Sequence, residues 1–106
     1  MKLVIAIVNN DDAGDVGSEL LQNGFPATKM ASTGGFLRMG NTTFLVGVPE
    51  NDVDSVIEII KKNSSKRMLL VSNVNEFSAD SVAQTVQVTV GGATVFVVDV
   101  DRFVKL

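Results

Sequence analysis

At 106 residues, with a formal net charge of −3, a sequence pI near 4.7 and neither Cys nor His, the chain excludes several functions at once. Disulfides, thiol nucleophiles, imidazole bases and the usual zinc ligand sets are ruled out, and no overall positive field exists to attract a nucleic-acid polymer. Hydrophobic content of 45% and charged content of 20% are ordinary for a globular protein, a single domain of this size buries only ~65% of its unfolded surface, and no apolar run is long enough for a membrane span. Residues 2 to 8 are almost wholly apolar, as in a central strand. Asn9-Asn10-Asp11-Asp12 follows at once with no small-residue cleavage site, so the segment reads as strand one and not as a signal sequence, and the default location is the cytoplasm. Asn10 or Asp11 caps a helix over about 12 to 23, with Val16 and Leu20 on one face and Gly24 ending it. Asp11, Asp12, Asp15 and Glu19 fit no calcium loop and read as helix-terminal carboxylates. No metal set is expected.

After Phe25-Pro26, residues 27 to 32 form a short strand, a glycine-rich turn spans roughly 33 to 41, and Thr42 to Val48 is a second strand. Pro49 to Asn63 is the clearest helix. Val53, Val56, Ile57 and Ile60 make its apolar stripe, Asn51 caps it, and Lys61 and Lys62 suit its negative end. Arg67 to Ser72 begins another strand, 73 to 83 is a polar loop, and two β-rich runs, 85 to 90 and 93 to 100, flank Gly91-Gly92 as the turn of a hairpin. The order is that of a split βαβ: a ferredoxin-like α+β fold of βαββαβ type with an added β-hairpin, forming one domain over 1–106. Both helices then cover one sheet face. The other, rich in Val, Ile, Leu and Phe, is left to meet copies of the same chain.

The unusual chemistry lies between residues 27 and 48. Gly34-Gly35 lets backbone N–H groups converge on an anion, Phe36 and Leu37 offer a flat apolar surface, Arg38 a planar cation, Thr28 and Thr33 hydroxyls, and Asn41 an amide that donates and accepts in one plane. Together these indicate a nucleotide site. Residues 35 to 42, Gly-Phe-Leu-Arg-Met-Gly-Asn-Thr, match the phosphate-loop pattern except at Asn41, which replaces the lysine, but they lead into a strand and not a helix. Nucleotide hydrolysis is rejected on both grounds. The dinucleotide fingerprint is absent as well, and no catalytic residues are assigned.

Thr33-Gly34-Gly35-Phe36-Leu37-Arg38, Gly40-Asn41-Thr42-Thr43-Phe44-Leu45, Gly47-Val48 and Val90-Gly91-Gly92-Ala93-Thr94-Val95-Phe96-Val97, with Ala27-Thr28-Lys29 upstream, closely resemble the PII-like cyclic di-AMP receptors. The likeness runs from Met1 to about Phe103. It implies a homotrimer with one cyclic di-AMP in each cleft between subunits, no enzymatic activity, no further cofactor, and loops that alter an unknown protein partner when the ligand binds. Carried onto this chain, it assigns nucleotide contacts to Ala27, Thr28, Lys29, Gly35, Phe36, Leu37, Asn41, Gly47 and Gly92. The glycine-loop backbone and Thr28 suit phosphate or ribose, and Phe36 and Leu37 wall an adenine. Asn41 suits adenine N6 and N7, Gly47 lets a base approach the strand backbone, and Gly92 faces the ligand from the neighbouring subunit. Three departures stand out. Pro26 replaces a common arginine, the 73 to 83 loop is shorter than in the family, and the tail Arg102-Phe103-Val104-Lys105-Leu106 lacks the polar ending. A PII-like trimer for another adenine nucleotide and a ligand-free structural or interaction trimer are the alternatives. The loops 33 to 41 and 73 to 83 are expected to be mobile without ligand.

Overall fold

The computed structural model describes residues 1–31, 40–65, 67–73 and 84–106. Strand β1 (Lys2–Asn9) leads into helix α1 (Asn10–Gln22), then β2 (Thr28–Ala31) and β3 (Asn41–Val48). A short 3₁₀ turn (Glu50–Asp52) opens helix α2 (Val53–Ser64), followed by β4 (Arg67–Asn73), β5 (Gln84–Val90) and β6 (Ala93–Asp99). The main sheet has the order β2-β3-β1-β6, every neighbouring pair antiparallel. This is an α+β architecture with ferredoxin-like topology, and β4–β5 form a separate two-stranded sheet inserted before the last strand.

Alternation along the strands divides the sheet into two faces. Val4, Ala6 and Val8 lie opposite Val46, Phe44 and Thr42, and all six are buried under the helices. From above, α1 adds Ala13, Val16 and Leu20, and α2 adds Val56, Ile59 and Ile60. Gly17 faces this seam, where an added Cβ would make ordinary van der Waals contact with the Phe44 ring at 3.4 Å. Both helix stripes carry core positions as their spacing predicts, with Val53 and Ile57 half-buried at the margin.

Helix ends correct the sequence reading in detail. Asn9 caps α1, its Oδ1 accepting from the Asp11 N–H at 2.9 Å, so the helix starts two residues earlier than expected. At the other end Gly24, with φ +79°, lets its own N–H reach Leu21 and the Phe25 N–H reach Leu20, which closes the last carbonyls. Asn51 does not cap α2. It sits inside the 3₁₀ turn, and no side chain caps the helix that follows.

The largest correction concerns Gly91-Gly92. They are not the turn of a hairpin between 85 to 90 and 93 to 100. Instead β5 pairs with β4 from Arg67↔Val90 to Asn73↔Gln84, while β6 pairs with β1 from Lys2↔Asp99 to Val8↔Ala93. The two glycines, φ +81° and +86°, carry the chain from one sheet to the other. The β4–β5 arm makes at most marginal contact with other elements. The radius of gyration is 17.8 Å, against ~13 Å for a compact chain of this length.

Candidate functional site

The face of the sheet away from the helices presents Leu3, Ile5 and Ile7 from β1, Leu45 from β3, Met30 from β2, and Phe96 and Val98 from β6. Much of it is open, with Met30 48%, Phe96 46% and Val98 42% exposed, while Ile7 at one end of β1 is buried at 7%. Asn41, Thr43 and Gly47 share this face through their alternation with Leu45.

Asn41 stands at the rim, opposite Asn9 and half-buried. Its flanks are fixed. The Asn10 N–H donates to the Gly40 carbonyl at 2.8 Å, and the buried Thr42 hydroxyl donates to Asn10 Oδ1 at 2.6 Å. Gly92 sits at the same end of the sheet, where its N–H donates to the Ser64 carbonyl and Ala93 opens β6 opposite Val8. On the helix side of that corner lies a groove of about 330 Å³, walled by Ile57, Ile60, Ala93 and Val95, with Lys61 and Ser65 at its rim.

The remaining assigned residues spread further. Gly47, opposite Leu3, is six residues from Asn41 along one strand, or ~20 Å. A Cβ there would meet only the Met1 sulfur at 3.9 Å, so the backbone is open to a neighbour. Thr28, opposite Leu45, lies exposed on the open face, whereas Lys29, opposite Phe44, lies exposed on the helix side of the edge strand. The Ala27 side chain packs against the core, which leaves its backbone to meet any ligand. Gly35, Phe36 and Leu37 lie outside the described residues, as does nearly all of the segments expected to be mobile. Within one copy, then, Asn41 and Gly92 gather at one end of the sheet and Gly47 stands at the other.

The strongest buried charge lies beside Gly91. Asp12, in the first turn of α1 and 4% exposed, accepts from Arg67 Nη2 at 2.8 Å, and Arg67 Nη1 donates to the Ser65 carbonyl at 3.3 Å. This carboxylate holds the guanidinium above its usual pKa. Sequence reading gave Asn10 and Asp12 only helix-end roles and did not foresee the Thr42–Asn10 and Arg67–Asp12 contacts. The only signal for them was the polar run Asn9 to Asp12, which looks like ordinary helix capping. Among the described residues no His, Cys, Asp and Glu group could hold a metal ion, and no helix is long and apolar enough to cross a membrane.

The whole sequence, residues 1–106, matches the pattern of the cyclic-di-AMP receptor family. The chain belongs to that family. It is also similar to the crystal structure of a functionally unknown protein from Pediococcus pentosaceus ATCC 25745, at 42% identity with a TM-score of 0.79, over 99% of this chain and 96% of that one. The recognition drawn from the 27–48 and 90–97 motifs therefore agrees with a match that extends over every element of the receptor, arm and tail included.

Proposed function

We propose that this chain is a cyclic di-AMP-binding, PII-like signal transduction protein without enzymatic activity, acting in the cytoplasm as a homotrimer. The observation that carries the reading is the family match over the full 106 residues. Two features support the assembly. Much of the open sheet face is apolar and exposed, with polar residues at its rim, as surfaces buried between copies are. The ~20 Å between Asn41 and Gly47 along β3 is bridged most simply by a cleft that takes the two residues from different copies. In that cleft Asn41 reads the adenine edge, Thr28 and the Gly35 backbone take phosphate or ribose, Phe36 and Leu37 wall the base, and Ala27, Lys29, Gly47 and Gly92 complete the contacts. Ligand binding changes the conformation of the surrounding loops, and these present the altered surface to a protein partner.

Isothermal titration of the purified protein with cyclic di-AMP, cyclic di-GMP, ATP and AMP tests this reading. Saturable binding of cyclic di-AMP in preference to the others is the expected result. A second reading, the same trimer serving a different adenine nucleotide, is favoured by Pro26, which stands exposed just before β2 where the family commonly carries an arginine. Preference for ATP or AMP in the same titration would select it.

A further inference from the structure

The first turn of α1 is tied to two places that the sequence keeps far apart. On one side Asn10 holds Gly40 through its N–H and accepts from Thr42 through its side chain, so it grips both flanks of Asn41. On the other side Asp12, two residues on, holds Arg67, the first residue of β4. Arg67 lies opposite Val90, so the ion pair seizes the arm at its root, where both strands enter. Gly91 completes the joint. A Cβ there would stand 2.6 Å from the Ser65 carbonyl, 2.8 Å from Arg67 Nη1 and 3.4 Å from Asp12 Oδ2, so only glycine fits.

The joint also has a second seat. Asp12 Oδ2 is buried and has no hydrogen-bond partner among the described residues, while Arg67 Nη1 makes only a long 3.3 Å bond to the Ser65 carbonyl. Turning the guanidinium so that Nη1 leaves Ser65 and takes Oδ2 would convert a single contact into the fork-to-fork pair that arginine and carboxylate favour. Such a turn would change how the root of the arm is held to α1. A joint able to take either pairing, and contacted from two sites, would supply the two-state element that coupling between those sites requires.

We propose that this turn of α1 is a relay: Asn10 registers the position of the Gly40–Thr42 strand end that carries Asn41, and Asp12 transmits it through Arg67 to the β4–β5 arm. The relay names a route for regulation of the nucleotide site and rests on that reading for its ligand, but the mechanical link exists without one. In this relay Asn10, Asp12 and Arg67 act as positioning residues.

Hydrogen exchange on the full-length protein, read in peptides covering 40–48 and 84–92, tests it in two arms. Without ligand, Arg67→Gln should speed exchange in 40–48, and Thr42→Val, which removes only the hydroxyl given to Asn10, should speed it in 84–92. Each change should be about fivefold or more, the low end for coupled sites. With saturating cyclic di-AMP, the parent should change exchange in both peptides, and Arg67→Gln should keep the response in 40–48 and lose it in 84–92. Circular dichroism and melting of both variants identify general unfolding, and Thr42→Val is conservative enough to keep the test open if Arg67→Gln does not fold. Strictly local effects of both substitutions would overturn the relay, as would an undiminished ligand response of the arm in Arg67→Gln. Cross-effects without ligand in a protein that binds none of the nucleotides would uphold the relay and overturn the ligand reading instead.

Discussion

Asn41 is where base choice is decided on the proposed reading. Its carboxamide can meet the N6 donor and N7 acceptor of adenine together, whereas guanine offers two acceptors there. Such a pair is worth roughly 1–3 kcal/mol, so Asn41→Ala should weaken cyclic di-AMP binding by about ten- to a hundredfold while the fold survives, as titration and melting will report. Two glycines give a contrast in stability. Gly14 lies within α1 with nothing within 4 Å of an added Cβ, so Gly14→Ala should stabilise by about 0.5–1 kcal/mol through helix propensity. Gly91→Ala should destabilise by about 1–3 kcal/mol, since its φ is positive and its Cβ would collide with the Ser65 carbonyl. Urea midpoints of the two variants should move in opposite directions. Glu19 carries a pH dependence: it accepts from Asn63 and from Lys62 at 3.0 Å, and these bonds lower its pKa below the ordinary carboxylate value. A depressed folded-state pKa means stability that is complete above the unfolded value and lost as pH falls through the folded one. Glu19→Gln should therefore be less stable than the parent at neutral pH and converge on it as the pH falls through the lowered folded-state pKa. A deficit that persists in acid would show that charge is not the cause.

Each helix is fastened by a few apolar side chains, and Ile60 shows how much rests on one. It is 1% exposed, between the sheet and α1. Ile60→Ala should cost about 2–5 kcal/mol, measured as a lowered denaturant midpoint with an unchanged slope. Such elements were legible because their burial is periodic. Val16 and Leu20 in α1, Val56 and Ile60 in α2, and the alternation of Thr42, Phe44, Val46 and Val48 in β3 follow from local spacing alone. Strand partnership was not legible in this way. Two β-rich runs around Gly91-Gly92 carry the local signal of a hairpin, yet β1 is a central apolar strand whose second edge needs backbone partners, and β6 supplies them by a register of seven pairs. That demand is non-local, so the glycines became a passage between sheets. The Asp12–Arg67 pair was hidden for the same reason, its members being 55 positions apart.

At the scale of the whole molecule, the sequence motifs implied both a candidate site and its completion by neighbouring subunits, and the described residues of one copy bear on how that site would be divided. Asn41, Thr28 and Gly47 share the open face, and strand geometry sets Asn41 and Gly47 at opposite ends of β3. Completion by neighbouring copies requires that the face carrying Leu3, Ile5, Met30, Leu45, Phe96 and Val98 be covered in solution. Phe96→Asp, which puts a charge on the edge strand of that face, should dissociate the proposed trimer while leaving the far-UV circular dichroism unchanged. Sedimentation equilibrium at micromolar concentration checks this, and a parent protein that sediments as the 11.3 kDa monomer would contradict the assembly. The most direct measurement is isothermal titration of the assembled protein with cyclic di-AMP, with cyclic di-GMP, ATP and AMP run alongside. The expected result is saturation at one cyclic di-AMP per chain with weaker or no binding of the others, and the absence of any cyclic di-AMP binding by the intact trimer would contradict it.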